Sequence, residues 1–511
     1  MPNFLESLFA ELNSAGGRVV LREIRGEQFV GVTGSALLEQ VGKVRAFLRH
    51  SGIQPGDRCA LLAPNTIAWV AMDLAMMAEG AIVVPLYARQ AAGELAGMMK
   101  DCRPRLLFVG DAALGEAVAE AWHDAPPRVT LDRALDENVS KGSGPDGAVP
   151  RADSDIVTII YTSGTSGEPK GVCLNVGNLN YMLGRTTERL GQLMTAAEGG
   201  GPDRVFHYLP FSFAASWLLL LSCLMRETTL TLSTDLNRLA DEIRLASPNY
   251  FLNVPTLLER VRRGVEEALS KRAAPIRLLA RKSRAAWQQG EARSTSAADR
   301  VWLWLAKKLI FSKIKLRFGR DLRALICGSA PLAPETQQFF QMLGIPVLQA
   351  YGLTETTGIC TMDDPREPAE PGYVGSAIPG IEMKVGEDEE IVTRGPHIFP
   401  GYWNRPAETG RVLQDGWFHT GDQGERNARG KWRISGRVKN LIVLNSGHKV
   451  APEPMEEKMA RLLPAAHMFF LATGTDPKKR RACFRVAGST PGIRARGTLV
   501  GNGASAGGLR T

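Results

Sequence analysis

The sequence predicts an α/β fold, with a large N-terminal domain and a smaller C-terminal region. The chain has 511 residues, well beyond the size at which a single hydrophobic core stops growing, so at least two domains are expected. Apolar runs typical of buried strands alternate with segments of helical periodicity through most of the chain. After residue 370, short runs divided by Gly and Pro replace that alternation. The composition is that of an ordinary globular protein, with 44% hydrophobic and 23% charged residues.

The predicted elements follow in order. Apolar residues recur at helical spacing over 32–50, which predicts an amphipathic helix. A strand, a buried helix and a buried strand are predicted at 58–62, 66–79 and 81–86. The longest apolar stretch, 214–225, is too short to span a bilayer and is predicted to be buried. The alternation then predicts two parallel sheets flanked by helices, with later strands at 228–232, 250–253 and 322–327 and helices at 236–247, 255–269 and 333–343.

The pattern of apolar and turn-forming residues changes towards the C-terminus. The short runs at 373–385, 390–395 and 432–434 predict an antiparallel, barrel-like subdomain. Residues 491–511 are rich in Gly, Ala, Ser and Arg without apolar periodicity, which is typical of disorder.

The net charge of +9 is unevenly distributed. Residues 271–320 hold fourteen Lys and Arg against Glu291 and Asp299, with Trp287, Trp302 and Trp304 among them. Such a segment suits peripheral contact with an anionic membrane surface. The alternative is a solvated helical face whose apolar side packs on the domain. No nucleic-acid partner is expected, because no recognised binding module accompanies the charge.

Compartment follows from cysteine usage and the N-terminus. The seven cysteines are scattered without C-x-x-C pairs, which favours a reducing compartment and argues against zinc or a disulfide framework. The first residues have no basic region before an apolar one, so no signal peptide is expected. The prediction is a cytoplasmic protein, with contact at the inner membrane surface as a hypothesis.

A glycine- and hydroxyl-rich stretch, Tyr161–Gly171, follows an apolar β-like run. Glycine permits close backbone approach, successive N–H groups form an anion-binding concavity, and Lys170 adds charge. The stretch does not fit a Walker A motif, and a surface turn between two strands is the alternative. Its composition suits a loop that wraps a polyphosphate, with donors available at Thr162, Ser163, Gly164, Thr165, Ser166, Gly167 and Lys170.

Three weaker motifs follow. In Tyr351–Thr356 the tyrosine can stack on adenine, Thr354 can donate to phosphate and Glu355 can hold Mg²⁺. The alternative there is a loop aromatic beside a helix capped by Thr354. Asp422, in a predicted tight loop, can accept from ribose hydroxyls, or is a turn residue. Arg437 offers a fork of donors, or is a surface arginine at a domain junction.

Together and in this order, the four motifs resemble the adenylate-forming (AMP-binding) superfamily over residues 30–467. The resemblance implies that ATP, Mg²⁺ and coenzyme A are used. It implies that Thr162 and Glu355 hold Mg²⁺ and that Asp422 and Arg437 bind ribose. It also implies a hinge at Lys439 and an adenine and acyl site lined by Gly328, Ser329, Ala330, Tyr351 and Gly352.

Within the superfamily the chain is most similar to long-chain fatty acyl-CoA synthetases. Residues 208–217 resemble their acyl-pocket helix, and 253–260 and 443–456 resemble two of their signatures. Phe213 and Trp217 are then expected in the acyl pocket, although Trp217 also suits a core aromatic. The expected function is activation of a fatty acid to acyl-AMP and its transfer to coenzyme A. Alternatives are a ligase loading a carrier protein and a nucleotide-binding pseudoenzyme.

The sequence departs from the family in three places. Phe213 and Val176 stand where many members have histidines, and no P-x-T-x-x-G-K-x-x-R stretch occurs after the hinge position. A short, truncated cap with slow adenylation is therefore expected. The predicted domains are 1–436 for the main domain, 437–475 for the hinge and partial cap, and 476–511 for a disordered tail.

Overall fold

The computed structural model describes residues 3–136, 147–163, 168–195, 202–292 and 296–438, together with strands at 442–443, 449–450, 466–473, 481–488 and 496–498. The strands are β1 Val19–Arg25, β2 Gln28–Thr33, β3 Arg58–Leu62, β4 Ile82–Leu86, β5 Leu106–Val109, β6 Arg128–Thr130, β7 Ile156–Ser163, β8 Pro169–Asn175, β9 Asp203–His207, β10 Thr228–Leu232, β11 Tyr250–Asn253, β12 Ala324–Cys327, β13 Val347–Tyr351, β14 Thr361–Met362, β15 Ser376–Ala377, β16 Glu382–Val385, β17 Glu390–Arg394, β18 Gly401–Tyr402, β19 Leu413–Gln414, β20 Trp417–Arg426, β21 Trp432–Arg437, β22 Ile442–Val443, β23 Lys449–Val450, β24 Ala466–Thr473, β25 Arg481–Gly488 and β26 Arg496–Thr498.

The helices agree closely with the apolar periodicity. They are α1 Phe4–Ala15, α2 Gly34–His50, α3 Ile67–Ala78, α4 Ala92–Cys102, α5 Ala112–Ala121, α6 Leu131–Leu135, α7 Val176–Thr195, α8 Ala214–Leu224, α9 Leu239–Ala246, α10 Pro255–Ser270, α11 Ala274–Ala292, α12 Ala297–Ala306, α13 Ser312–Lys315, α14 Pro334–Met342 and α15 Pro406–Val412. A π-helical turn at Lys307–Phe311 joins α12 to α13, and a 3₁₀ turn at Leu316–Phe318 follows. No helix among the described residues has the length and hydropathy needed to cross a bilayer.

Two largely parallel sheets form the main body, which confirms the predicted α/β fold. One sheet has the strand order β15-β14-β13-β12-β11-β9-β10-β1-β2 and the other has β18-β8-β7-β4-β3-β5-β6. The central strands of both sheets are parallel, and the antiparallel pairs lie towards the edges. Central strands such as β3 and β4 are almost wholly buried, as expected for strands covered by helices on both faces.

An antiparallel sheet follows, in the order β16-β17-β20-β19 with β21 paired to β20. This confirms the barrel-like antiparallel subdomain predicted after residue 370. The chain divides into two compact units, residues 1–382 with 394–418 and residues 383–393 with 419–511. The predicted boundaries at 436 and 475 stay predictions.

Candidate functional site

The predicted phosphate-binding stretch forms the end of a β-hairpin. Strands β7 and β8 are antiparallel, with Thr162 opposite Lys170 and Ser163 opposite Pro169. Directly opposed residues share one face of a sheet, so Thr162 and Lys170 lie side by side. The predicted loop was therefore too wide: residues 161–163 and 169–171 are strand, because their backbones pair across the hairpin. Gly164, Thr165, Ser166 and Gly167 lie outside the described residues.

Lys170 is held by an acidic partner from α15. Its ammonium makes an ion pair with Glu408, and both side chains are partly exposed, at 19% and 28%. The hydrogen bond from Lys170 lowers the pKa of Glu408. The same ammonium lies 5.3 Å from the ring centroid of Tyr402, within cation–π range. The lysine is thus positioned by one carboxylate and one aromatic face.

Tyr402 connects that lysine to the predicted metal ligand. Its hydroxyl donates to Oε1 of Glu355 at 2.9 Å. The backbone carbonyl of Glu355 accepts from the N–H of Phe399 at 2.9 Å, which fixes the turn that carries it. Burial is the main cause that raises the pKa of the Tyr402 hydroxyl, and Glu355 adds to it, so Tyr402 acts as a donor. Lys170, Tyr402 and Glu355 form one continuous cluster.

The turn that carries Glu355 follows β13. Residues Thr354–Thr356 form a 3₁₀ turn whose N-cap is Leu353, so the alternative that Thr354 caps a helix is wrong. The capping role falls to Thr356, whose hydroxyl accepts from the Leu353 N–H at 2.9 Å. Gly352 must be glycine, because an added Cβ would lie 2.5 Å from the carbonyl oxygen of Gly358. This close approach fixes where Thr354 and Glu355 emerge from the strand.

The predicted adenine and acyl residues meet at one edge of the nine-stranded sheet. Strands β11, β12 and β13 are parallel neighbours, so the residues after them emerge at the same edge. Gly328, Ser329 and Ala330 follow β12, with Ser329 at φ +73°, and Tyr351 ends β13 with a largely buried ring. A Cβ on Gly328 would lie 3.1 Å from the carbonyl oxygen of Ala350, so the two segments touch.

The two predicted acyl-pocket residues have different surroundings. Phe213, which precedes α8, is 49% exposed, and its ring lies 6.0 Å from that of Tyr87. Trp217, one turn later, is 1% exposed and donates its indole N–H to Oδ2 of Asp73 at 2.8 Å. The start of α8 lies against Gly358, where a Cβ would approach Leu218 at 3.3 Å. The helix therefore borders the segment that carries Glu355.

Asp73 is the ionisable residue of an otherwise apolar helix, α3, and is fully buried. Burial raises its pKa from an ordinary 3.8 to about 7, although the Trp217 hydrogen bond opposes that shift. Its Oδ1 has no hydrogen-bond partner among the described residues. A single aspartate within an apolar helix can be recognised in the sequence, but Asp73 was not identified there as a candidate residue.

The predicted ribose-binding residues face each other in the second unit. Asp422 lies in β20 opposite Arg437 in β21, and Arg437 Nε lies 3.0 Å from Asp422 Oδ1. The prediction of a tight loop around Asp422 was wrong, because the segment continues as a strand through Gly421, whose φ is +71°. The Asp422 side chain is 6% exposed and that of Arg437 is 50% exposed. The predicted hinge residue Lys439 lies outside the described residues.

The residues present fit a magnesium–triphosphate group. Mg²⁺ prefers oxygen ligands and is commonly bound through one or two carboxylates plus substrate phosphates. Glu355 offers a carboxylate beside the cationic Lys170, with Thr162 on the same hairpin face. No group of three His, Cys, Asp or Glu capable of holding a metal occurs in the described part of the chain.

Sequence reasoning missed Glu408 and Tyr402. Neither belongs to a motif that was singled out, and both come to the site through β18 and α15. Strand β18 pairs with β8, which places Tyr402 opposite Val172 and beside the hairpin. Long-range pairing of this kind has no local signature in the sequence.

Known proteins resemble this chain in sequence and in fold. A family model described as AMP-binding enzyme matches residues 11–403. Long-chain-fatty-acid–CoA ligase FadD15 of Mycobacterium tuberculosis is 27% identical over 457 residues, covering 86% of this chain and 75% of its own. Long chain acyl-CoA synthetase 1 of Arabidopsis thaliana is 29% identical over 493 residues, covering 88% and 73%.

Solved structures share the fold at low identity. O-succinylbenzoate coenzyme A synthetase from Bacillus subtilis, bound to ATP and magnesium, superimposes with a TM-score of 0.73 at 19% identity, covering 96% of this chain and 90% of its own. A fatty acyl CoA synthetase from Mycobacterium tuberculosis gives 0.69 at 22% identity, covering 95% and 88%. These similarities support the adenylate-forming architecture.

Proposed function

The chain belongs to the AMP-binding enzyme family, and on that premise we propose that it activates a long-chain fatty acid with ATP and transfers the acyl group to coenzyme A. The observation that carries the proposal is the cluster of Lys170, Tyr402 and Glu355 beside the hairpin. A cation for phosphate and a carboxylate for Mg²⁺ are the two groups that phosphoryl chemistry needs at one place.

Two observations support the choice of acid. The relatives that match most of the chain carry names of long-chain fatty-acid ligases. The start of α8, with Phe213 and Trp217, borders the segment that carries Glu355. We assign the fatty-acyl chain to this border, with the aromatic side chains as its apolar lining.

The first half-reaction forms a bond between a carboxylate oxygen of the fatty acid and the α-phosphorus of ATP, while the bond to pyrophosphate breaks. Lys170 neutralises phosphate charge after it exchanges Glu408 for the nucleotide. Thr162 and Glu355 would hold Mg²⁺, and the bound ion would offset the negative charge on the phosphate oxygens. Tyr402 keeps the carboxylate of Glu355 oriented through its hydrogen bond. These residues act by position and charge.

The second half-reaction forms a thioester bond to coenzyme A while the bond between the acyl carbon and AMP breaks. The thiol loses its proton to solvent, and AMP leaves as the phosphate anion. Asp422 and Arg437 are assigned to the ribose. Asp422 accepts hydrogen bonds from its hydroxyls, and Arg437 donates hydrogen bonds to its oxygens. Lys439 is assigned to the hinge between the half-reactions.

The test is pyrophosphate release from ATP and Mg²⁺ with fatty acids of graded length, with and without coenzyme A. Release that depends on a long-chain acid and accelerates with coenzyme A is expected. Release that coenzyme A does not accelerate would point to a carrier protein as the acceptor and contradict the assigned second step. Folded protein that binds ATP but releases no pyrophosphate would contradict the proposal altogether.

A further inference from the structure

The basic segment 271–320 carries many more cations than the described residues pair with carboxylates. It contains fourteen Lys and Arg and two acidic residues. Among its described cations, Lys271 and Arg284 pair with carboxylates, those of Glu267 and Glu266. The acid Asp299 is occupied in capping α12 with Ser296. This face of the molecule is therefore strongly cationic.

The same segment exposes large apolar side chains. Trp304 is 60% exposed and Val301 56%, and these two lie three residues apart on α12, on one helix face. Leu316, further along the helical run, is 53% exposed. The ammonium of Lys308 lies 5.5 Å from the Trp304 ring. Exposed tryptophan interleaved with lysine is typical of helices that lie in a membrane interface.

An apolar cavity opens beside this face. It has a volume of about 710 Å³ and lies between α9, α10 and the helical run 307–318. Aliphatic residues such as Val261, Val265 and Ile314 line it, and Leu309 lines it while remaining 44% exposed. The volume is within the range of sites that bind small ligands.

Cations surround that apolar lining. Arg260, Arg272, Lys313 and Arg317 all contribute to the wall. Within the described part of the chain, none of the four makes an ion pair with a carboxylate. An apolar cavity edged by unpaired cations matches an acyl chain attached to an anionic headgroup.

We propose that this face, formed by α10–α13 and the turns between them, docks on an anionic phospholipid bilayer and seats a lipid acyl chain in the cavity. One carboxylate or phosphate would need one or two cations, whereas this face carries many, so an extended anionic surface is favoured over a single free amphiphile. A nucleic acid would leave the apolar cavity and Trp304 without partners. The inference goes beyond the proposed function, since it concerns where the protein works.

Flotation of the full chain with vesicles tests the charge. Phosphatidylcholine vesicles with and without phosphatidylglycerol are the probes. Binding that requires phosphatidylglycerol and weakens with salt is expected. Lys313→Ala with Arg317→Ala should weaken it about 25-fold, at roughly fivefold for each charge. The control, Arg133→Ala on α6, removes an exposed cation away from the segment and should leave binding within about twofold.

A glycine in the cavity wall tests the acyl-chain site. Gly264 of α10 lines the cavity, and a Cβ there would meet nothing within 4 Å. Gly264→Leu therefore adds an apolar side chain at the cavity wall, where its Cβ has room, and favours the helix. Its control is Gly42→Leu on α2, where a Cβ also meets nothing within 4 Å. Gly264→Leu should weaken vesicle binding several-fold relative to this control.

Four outcomes would overturn the inference in whole or in part. Binding that ignores phosphatidylglycerol, or cavity and charge variants that bind like their controls, would remove its basis. Binding of free palmitate in the cavity without vesicle binding would assign the site to a soluble amphiphile instead. Loss with the charge variant but not with Gly264→Leu would remove the acyl-chain seat. Pyrophosphate release measured on the same variants separates these outcomes from failure of the proposed function.

Discussion

Two sites with ionisable side chains, both in the unit formed by residues 1–382 and 394–418, differ in their exposure to solvent. At the hairpin, Lys170 and Glu408 form an ion pair whose side chains remain partly exposed. In the core, Asp73 is fully buried, with the indole of Trp217 on one oxygen and no hydrogen-bond partner for the other among the described residues. The first pair can exchange partners with little loss, since water and ligands reach it. The second cannot change its charge state without altering the stability of the surrounding core.

The difference indicates separate uses of ionisable groups. A partly exposed pair suits a residue that must release one anion to bind another, which is the role proposed for Lys170 in exchanging Glu408 for phosphate. A buried carboxyl hydrogen-bonded to Trp217 suits a fixed orientation of that aromatic ring beside the proposed acyl site. The following experiments test whether the hairpin cluster is functional and the buried pair structural.

The largest expected effect is on catalysis at the hairpin. Lys170→Met and Glu355→Gln should each lower the rate of pyrophosphate release about 10²–10³-fold, as for other lost electrostatic stabilisers. Thermal unfolding should change little, because both side chains belong to a partly exposed cluster. Lys43→Met, which breaks an exposed ion pair with Glu39 on α2, is the control and should keep its rate. Near-normal rates in both hairpin variants would remove the cluster from the chemistry.

The second-largest effect should be on the stability contributed by the buried, hydrogen-bonded pair of Asp73 and Trp217. Burial raises the pKa of Asp73 to about 7, so between pH 3.8 and about 7 the folded protein keeps a proton that the unfolded chain has lost. The contribution of Asp73 to the free energy of unfolding should then fall by about 1.4 kcal/mol per pH unit as the pH rises through this window, and level off above it. Asp73→Asn should lack that slope, as denaturant titrations across the window would show.

A second Asp→Asn variant serves as a control for the pH dependence of Asp73→Asn. Asp111→Asn changes an exposed aspartate that caps α5 through the Leu114 N–H, a role that asparagine also fills. Its stability should follow the wild-type pH dependence. Parallel curves for Asp73→Asn and the wild type would mean that the buried carboxyl does not titrate in this range.

The sequence predicted the fold well because its strongest signals are local. Strands such as Arg58–Leu62 and Tyr250–Asn253 were predicted with the bounds that the structure has, since each is a short buried run ended by turn residues or a helix start. Errors arose where a strand continues through a glycine, as at Gly421 in β20. A positive φ at one glycine can bend a strand without ending it, which a turn signal does not reveal.

The site was predicted less completely because part of it depends on long-range pairing. Lys170 and Glu355 were found through motifs, but Glu408 reaches Lys170 through a segment more than two hundred residues away in the sequence. Asp73 differs, since an aspartate within an apolar helix is a local signal. Its partner Trp217 was named for a family likeness, and only the fold joins the two.

A smaller effect is expected at Tyr402. Tyr402→Phe keeps the ring but removes the hydroxyl that donates to Glu355, a hydrogen bond to a charged group worth about 1.5–3 kcal/mol. The Mg²⁺ concentration needed for half-maximal pyrophosphate release should rise roughly tenfold, while the maximal rate changes less. Tyr181→Phe, which removes a donor to the neutral carbonyl of Pro379, should not move this Mg²⁺ dependence. A lower maximal rate with an unchanged Mg²⁺ requirement would contradict the positioning role.

The smallest effect should be a change in ATP affinity on substitution of Glu408, and the direction of that change is informative. If Glu408 competes with phosphate for Lys170, Glu408→Gln should tighten ATP binding by up to about fivefold, the range for a partly exposed ion pair. Glu382→Gln, which breaks the exposed pair with Arg394, is the control and should leave ATP affinity unchanged in calorimetry. Weaker ATP binding in Glu408→Gln would mean that the carboxylate holds the lysine in its binding position. The hairpin pair would then resemble the buried pair in being fixed, and the distinction between the two regions would rest on exposure alone.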